Sequence, residues 1–487
     1  MSLSAIDLTI IASYLIFIVC LGIWYGRREE SLEDYCLGGR SVPWIAVLLS
    51  IVATETSALT FIGTPAFAYN HNWTYMQLII GTILARFIIA RIFIKQFYKH
   101  KVFTVYEYLS KRFGTGSKNC CSIVFFITRI LASGVRLYGA SIIVSVATGL
   151  SPLTSIIIIA TAAVLYTMIG GIKAVIWTDV CQAVLLFGGG MIALFFIFRD
   201  IPNGWEGIIN VTRDLSKFDL LDFSLSYKAA YTIWAGIIGS TFLTLATHGT
   251  DQDLVQRMLT AKDYGRSKKA LILSGFADIP IVILFLSIGS FLFTYYQLTP
   301  TPGLPEKADD IFPYYIVNQL PRGVTGLLIA GVFAAAMSSI DSALNALSTT
   351  WINDFYRPYI KKDAPERHYL TMAKAFTVFF GLFLVLIAFL SRGTPEVLIL
   401  GLKIGTFTYG ALLGVFLLGF LTERGSDQGN AVSIILSIAA ILLIAYYTEV
   451  SWVWYVMIGT LITFFVGYLF PAKQQSQKYL SLRNRGM

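Results

Sequence analysis

Charged residues are scarce in this 487-residue chain. Asp, Glu, Lys and Arg make up 13% of the sequence, whereas a soluble domain carries roughly 25%. Hydrophobic residues make up 56%, and the mean hydropathy is +0.69. So few charges cannot cover a water-facing surface of this size, which excludes a soluble globular protein.

Cysteine and the common catalytic motifs are also scarce. The odd number of cysteines gives no disulfide framework, and their spacing matches no metal site. We see no Gly-rich phosphate loop, HExxH or GxSxG motif, so a polytopic membrane enzyme stays only as an alternative. The apolar stretch 8–24 lacks a basic leader and a cleavage site, so we interpret it as a retained helix. The five cysteines are Cys20, Cys36, Cys120, Cys121 and Cys181.

Long apolar runs dominate what is present. Runs such as 153–169 approach the ~20 residues that a helix needs to cross a bilayer, and they lack the period-2 alternation of a barrel. We predict an all-α polytopic membrane protein with about 13 transmembrane helices. Most of the 37 Lys and Arg residues fall in alternate loops, which predicts an external N-terminus and a cytoplasmic C-terminus. The net charge of +9 therefore indicates contact with the lipid bilayer and not with nucleic acid.

Two predicted spans have polar centres. Polar residues interrupt the span near 43–70 at 53–57, where the sequence reads Ala-Thr-Glu-Thr-Ser. Broken or polar helices at the midplane are how secondary transporters build ion and substrate sites. The span near 323–352 repeats small residues at i, i+3, i+4 and i+7, so they share one helix face. They are Ala335, Ser338, Ser339 and Ser342.

Oxygen groups on such a face suit sodium, whereas transition metals prefer His or Cys. An alternative is close helix packing, with each Ser bonding back to its own helix. That alternative does not explain Asp341, because a carboxylate at the midplane costs at least about 2.5 kcal/mol. Asp179 begins another span, and as a lone residue it fits a structural role as well as a functional one.

Five stretches together resemble one transporter family. They are LGGRSVPW, YTMIGGIKAVIWTDVCQ, GTDQDLVQRMLTAKD, FAAAMSSIDSALN and DFYRPY. In this order they are similar to the sodium:solute symporter family, and especially to bacterial members such as the sialic acid and proline symporters. The resemblance covers nearly the whole chain.

The resemblance implies a LeuT-type fold with two inverted five-helix repeats in a single transporter domain. The repeats would cover 41–200 and 229–421. An extra helix at 1–25 would precede them, two further helices would cover 430–470, and 471–487 would form a cytoplasmic tail.

The resemblance also implies two ion sites. The main sodium site would use backbone carbonyls of Ala53, Thr56 and Ala335 and the hydroxyls of Ser338 and Ser339. A second cation site of some members would fall on Asp179, Ser338, Asp341 and Ser342. Members with two sodium ions carry Ser where this chain has Asp341, so either a second cation or a proton could occupy that site.

The solute pocket is predicted less sharply. The resemblance points to Glu55, Ser57 and Thr60 at the helix break. Sialic acid members use an arginine where this chain has Ala132, and Arg136 follows one turn later. The other candidates are Gln77, Lys403, Thr406 and Tyr409. An alternative is that Glu55 forms a structural ion pair with Arg136 or Lys403.

The sequence thus predicts a monomeric secondary transporter in a bacterial inner membrane, with sodium as the coupling ion. It would take up a small organic acid, amino acid or sugar by alternating access. A proton-coupled transporter of the same fold is the main alternative.

Overall fold

The computed structural model describes residues 3–27, 29–392 and 397–472. The regular secondary structure of these residues is helical, apart from one isolated parallel bridge between Val42 and Ala261, and the all-α prediction is confirmed. Most of the predicted tail at 471–487 lies outside the described residues. The helices are α1 (Ala5–Gly26), α2 (Leu32–Leu37), α3 (Trp44–Glu55), α4 (Ala58–Asn70), α5 (Gln77–Ile89), α6 (Lys95–His100), α7 (Val105–Arg112), α8 (Thr115–Thr148), α9 (Pro152–Asp200), α10 (Gly204–Thr212), α11 (Ser240–Gly249), α12 (Gln252–Leu259), α13 (Tyr264–Leu298), α14 (Ala308–Asn318), α15 (Val324–Trp351), α16 (Glu366–Leu390), α17 (Val397–Leu421), α18 (Asp427–Tyr447) and α19 (Tyr455–Leu469). Short 3-10 or π segments lie at Gly38–Arg40, Thr74–Met76, Ala90–Ile94, Arg213–Leu215, Ala235–Gly239, Ile352–Ile360 and Trp452–Trp454.

Ten of the described helices are long and apolar enough to cross a membrane. An eleventh span results if Trp44–Glu55 and Thr60–Asn70, which are bent by 55° at a short break, are counted together. The chain is therefore a multi-pass membrane protein, while the count of about 13 stays a prediction. The 49-residue α9 is interrupted at Gly171, where φ is 49° and ψ is −147°. A Cβ there would lie 2.6 Å from the Tyr35 carbonyl oxygen, so the break requires glycine.

Loop contacts define the two faces of the bundle. On the face where α1 begins, here called the N-terminal face, the Asp7 carboxylate accepts hydrogen bonds from the backbone N–H of Gly323 and Gly326. It thereby caps the start of α15. On the opposite face, the Tyr98 hydroxyl donates to the carbonyls of Met258 and Ala261.

Helix α15 is the centre of the fold. Every residue from Leu328 to Thr350 is buried, and the helix packs against α1, α3, α8, α9 and α16. A helix buried on all sides has no surface to present to lipid. Its Ser, Asp and Asn side chains therefore face protein, where each needs a partner or a ligand.

Candidate functional site

The break between α3 and α4 frees a backbone carbonyl. Helix α3 ends because Thr56 adopts φ −84° and ψ 75°. The N–H of Ser57 donates to the Glu55 carbonyl at 3.0 Å and not to Ala53, its regular acceptor four residues earlier. The hydroxyl of Ser338 instead donates to the Ala53 carbonyl at 3.2 Å. The kinked helix thus directs a carbonyl at α15.

Oxygens of α15 meet this carbonyl. The Ser338 Oγ atom is also 3.2 Å from the Ala335 carbonyl, so the structure brings three of the predicted sodium ligands together. The hydroxyl of Ser339, the next residue, is buried without a hydrogen-bond partner. A buried polar atom without a partner is costly, and a cation beside it would supply that partner.

These groups suit an alkali cation. Carbonyl and hydroxyl oxygens are hard ligands. Within 3–27, 29–392 and 397–472, no group of three or more His, Cys, Asp or Glu side chains is placed to hold a metal ion. The residues therefore fit sodium better than a transition metal.

Two carboxylates lie deeper in the bundle. Asp179 Oδ2 accepts from Ser50 Oγ at 2.5 Å and lies 3.3 Å from Arg257 Nη2. Asp341 Oδ2 accepts from the Tyr166 hydroxyl at 2.5 Å. Each carboxylate keeps its Oδ1 atom buried without a partner, so both retain an oxygen for a cation. Ser342, the other predicted member, donates to the Ser339 carbonyl.

Glu55 belongs to a buried ionic cluster. Its carboxylate contacts His248 Nε2 and lies 2.5 Å from Arg86 Nη2, which also lies 3.0 Å from Asp278 Oδ2. The alternative in which Glu55 forms an ion pair with Arg136 or Lys403 is therefore wrong. The cluster joins α3, α5, α11 and α13, and its carboxylates are partly exposed whereas the Arg86 side chain is 1% exposed.

Arg136 lies on the other side of the helix break. Its Nε atom is buried without a hydrogen-bond partner, and no carboxylate of the described residues forms an ion pair with it. A guanidinium left unpaired in a cavity attracts an anion. The cavity is small and is lined by Ser57, Ala58, Arg136, Ala140, Ala335, Ala336, Ser339 and Ile340.

The structure does not bring the remaining candidate residues for solute binding together at one cavity. Thr60 lines a wider cavity on the N-terminal face. Gln77 instead binds backbone, because its amide donates to the carbonyls of Thr74 and Tyr231 and accepts from Asp222 N–H. Tyr409 donates to Asp251. On the same helix, α17, the hydroxyl of Thr406 bonds back to the Lys403 carbonyl.

An ionic network closes the opposite face. Arg129 pairs with Asp251 and lies 2.9 Å from Asp253 Oδ2. Arg257 bridges Asp253 and Asp179, each at 3.3 Å. Burial alone would raise the pKa of Asp253. The guanidinium groups of Arg129 and Arg257 together have the larger effect, so the pKa of Asp253 lies below its ordinary value. The side chains of these ion pairs are all buried.

The N-terminal face is open. A cavity of about 540 Å³ is lined by residues of α4, including Thr60 and Phe67, by Tyr75 and Tyr231, and by the segment 306–309. A second cavity of about 490 Å³ adjoins it at the outer end of α4. Thr60, which follows the helix break on α4, places the first of these cavities near the site.

Sequence reasoning missed the partners of the charged residues. Arg86, Asp278 and His248 surround Glu55, while Arg257 and Ser50 hold Asp179. The available signal was charge inside apolar runs, since Arg86 and Asp278 both occur within predicted spans. Nothing in the spacing shows which charge meets which.

Comparison with known proteins gives matches over most of the chain. A family model described as Sodium:solute symporter family matches residues 35–437. The sodium/sialic acid symporter SiaT of Proteus mirabilis is 32% identical over 489 residues, covering 97% of each chain. NanT of Aliivibrio fischeri, also a sodium/sialic acid symporter, is 32% identical and covers 94% of this chain and 91% of its own. The human sodium/iodide cotransporter is 27% identical over 87% of this chain and 67% of its own.

Solved structures agree with these matches. A sodium-coupled sialic acid symporter in a substrate-bound, outward-open state has a TM-score of 0.89 and 31% identity, covering 97% of this chain and 99% of its own. The nucleobase-cation-symport-1 family transporter Mhp1 in a closed conformation has a TM-score of 0.56 and 13% identity, covering 92% and 98%. The second similarity concerns the fold alone.

Proposed function

Because the chain belongs to the sodium:solute symporter family, we propose that it couples the inward movement of sodium to the uptake of a small organic solute that bears a carboxylate. Membership of a transporter family confirms the prediction of a transporter rather than an enzyme. The unpaired Arg136 beside the helix break carries the proposal for the solute. A buried cation without a partner is costly, and a solute carboxylate would form charge-assisted bonds with it.

The main sodium site would use Ala53, Thr56 and Ala335 through carbonyls, and Ser338 and Ser339 through hydroxyls. The Ala53 carbonyl, which accepts from Ser338 instead of from its own helix, and the unpartnered Ser339 hydroxyl support this assignment. The site would join the broken helix to α15. Sodium would therefore favour the conformation in which these helices touch, by its differential affinity for the two conformations.

A second cation would occupy the site made by Asp179, Asp341 and Ser342 with Ser338. The two unpartnered carboxylate oxygens support it. Arg257 already offsets the charge of Asp179, so one monovalent cation would balance Asp341. Coupling to a proton instead of this second cation is the alternative, and it would act through the same carboxylate.

Ser57 and Arg136 would form the centre of the solute pocket, with Thr60 at its entrance. Glu55 would contribute a partly exposed carboxylate backed by Arg86. The contacts of Gln77, Thr406 and Tyr409 favour structural roles for these three. Lys403 would contact solute only if α17 moved toward the break.

The open N-terminal face and the closed opposite face support an outward-facing conformation within an alternating-access cycle. We assign the N-terminal face to the outside, as the distribution of Lys and Arg predicts. The repeats at 41–200 and 229–421, the 13 spans, a location in a bacterial inner membrane and a monomeric state complete the proposal.

A thermal-shift screen of the purified protein tests the proposal. Small carboxylates, amino acids and neutral sugars would be added in sodium and in choline at equal ionic strength. We expect stabilisation only by solutes with a carboxylate and only in sodium, and Arg136→Ala should abolish it. Stabilisation by neutral sugars that persists in Arg136→Ala would refute the proposal that the solute bears a carboxylate. Equal stabilisation in choline and in sodium would refute sodium coupling. Uptake measured with and without sodium at fixed pH separates sodium from proton coupling.

A further inference from the structure

A long connection between α10 and α11 crosses the N-terminal face and is hydrogen-bonded to the outer end of α4. We call residues 213–231 the strap. The ammonium of Lys217 donates to the carbonyls of Ala68, Tyr69 and His71 and lies 4.0 Å from the centre of the Phe293 ring. Burial lowers the pKa of Lys217 to about 8. The strap is thereby fixed to the carbonyl end of α4.

Two further contacts fix the strap beside α5. The Asp219 carbonyl accepts from Trp73 N–H at 3.1 Å, and the Asp222 N–H donates to Gln77 Oε1 at 3.0 Å. These bonds use the backbone of the strap on the side that faces the protein. Its path is therefore set by the bundle, although it has no regular helix beyond Leu215.

The middle of the strap presents apolar side chains outward. Residues 221–227 alternate, with an apolar residue at each odd position and Asp or Ser at each even one. The segment has no regular helix or strand, and all four of its odd positions are exposed. The side chain of Leu225 is 86% exposed, and those of Leu221, Phe223 and Tyr227 are exposed by between 52% and 65%. We call these four side chains the ridge.

Exposure of four large apolar side chains to water is unfavourable. Monomeric soluble proteins rarely expose contiguous large apolar groups, and where they do the patch marks a contact. The polar side chains between them bond within the strap, since Asp222 Oδ1 accepts from Ser224 N–H and Ser226 Oγ accepts from Lys228 N–H. The four apolar side chains make no such bonds within the strap and are available to an apolar partner.

The position of the ridge along the membrane normal follows from its neighbours. The carbonyl of Tyr227 accepts from Ser451 N–H at 2.8 Å, just beyond the end of α18. That helix ends in two highly exposed aromatics, Tyr446 and Tyr447, as is typical of the aromatic belt where a bilayer meets water. The ridge therefore lies level with the membrane interface.

The ridge also continues a surface that faces lipid. The indole N–H of Trp234 points to the Phe223 carbonyl at 3.4 Å, and the Asp222 carbonyl accepts from Ile233 N–H. Trp234 and Ile238 are themselves large exposed apolar residues at the start of the segment that leads into α11. The apolar surface thus runs from the span onto the strap.

We infer that the ridge inserts into the bilayer on the N-terminal side, with phospholipid as its partner. Apolar residues at an interface sink about 5–10 Å, to the boundary between headgroups and acyl chains. Lys217 then fixes a lipid-anchored strap to the outer half of the broken helix. The bilayer would thereby hold the outer end of α4 and oppose its movement when the N-terminal face closes.

Fluorescence quenching of the full chain in vesicles tests this inference. Leu225→Cys would be labelled with an environment-sensitive fluorophore in phosphatidylcholine vesicles, and unsubstituted protein would give the background from the native cysteines. Ser224→Cys is the matched control, because this neighbouring polar residue is also exposed but does not belong to the ridge. Nitroxide groups placed shallow or deep on the lipid acyl chains, and aqueous iodide, would be the quenchers.

We expect the Leu225 label to lose more fluorescence to shallow nitroxide than to deep nitroxide, and to resist iodide. The label at Ser224 should instead be quenched more by aqueous iodide than by either nitroxide. Equal iodide quenching at both positions would overturn the inference in favour of an exposed ridge. Protection of Leu225 from both quenchers would overturn it in favour of a protein partner, and dependence on the protein-to-lipid ratio would identify that partner as a second copy.

Discussion

The two ends of the site differ in how their charges are satisfied. Towards the opposite face, Arg129, Arg257, Asp179, Asp251 and Asp253 pair with one another and are buried. Around the helix break, Arg136 Nε and the Ser339 hydroxyl are buried without partners. The first region holds its charges in ion pairs between helices, whereas the second has a guanidinium that pairs with no carboxylate of the described residues and that a cargo can satisfy.

This contrast fits the coupling of binding to movement. Ion pairing keeps the opposite face closed until something competes for its charges, because a buried charge left alone is costly. Incomplete pairing at the break makes the site depend on its cargo, since sodium and solute supply the missing partners. The predictions below test this difference between the regions.

The largest effect is expected for Arg257→Ala. This change leaves Asp179 buried without its guanidinium partner and Asp253 with Arg129 alone, which should cost about 3–5 kcal/mol. Thermal unfolding in detergent measures the loss. Arg266→Ala is the control, because Arg266 forms a half-exposed pair with Asp263 and should cost only about 0–1 kcal/mol. Equal losses in the two variants would show that the closed face does not depend on its ionic network.

Arg136→Ala should behave in the opposite way. Because no carboxylate of the described residues pairs with Arg136, its loss should leave the unfolding temperature unchanged or raise it. The affinity for a stabilising carboxylate should fall by about 10- to 100-fold, the worth of a charge-assisted hydrogen bond. Thermal shift with and without that carboxylate measures both quantities. A fall in stability like that of Arg257→Ala would mean that Arg136 is a structural cation.

Ser339→Ala should weaken activation by sodium by about tenfold, as expected for losing one ligand worth about 1.4 kcal/mol. The concentration of sodium that half-activates uptake is the measurement. Ser348→Ala is the matched control on the same buried helix, because its hydroxyl bonds back to the Asn345 carbonyl. If both variants keep the sodium dependence of the unsubstituted protein, Ser339 is not a ligand.

The smallest effect is expected for Lys217→Met. The change removes three hydrogen bonds between the strap and the end of α4 but leaves the buried site intact, so it should cost about 1 kcal/mol. Amide hydrogen exchange at 66–72 should become faster while exchange in α15 stays slow. Lys228→Met, which removes an exposed ion pair with Glu449, should leave both rates unchanged.

The sequence predicted the parts of the site that depend on one helix at a time. The polar interruption at 53–57 predicted the break, and the i, i+3, i+4, i+7 spacing predicted the serine face of α15. Both rest on local chemistry. In the structure Ala53, Ala335 and Ser338 meet within hydrogen-bonding distance, while their role as sodium ligands stays a prediction.

The parts that depend on contacts between distant helices could not be predicted. Glu55 meets Arg86 and His248, which lie 31 and 193 residues away, and no periodicity reports such a meeting. Gln77 looked like a pocket residue because it is an amide within a span, yet it fixes backbone at the N-terminal face. A polar residue in a membrane helix needs a partner, but its sequence does not say which.

Direct binding of radioactive sodium to purified protein tests the central claim, that oxygens of the broken helix and of α15 hold the ion between them. Ser338→Ala removes the hydroxyl that bridges the Ala53 and Ala335 carbonyls, with Ser348→Ala as the control. We predict saturable binding in the unsubstituted protein and in the control, and a loss of affinity of about tenfold or more in Ser338→Ala. Undiminished sodium affinity in Ser338→Ala would contradict the account.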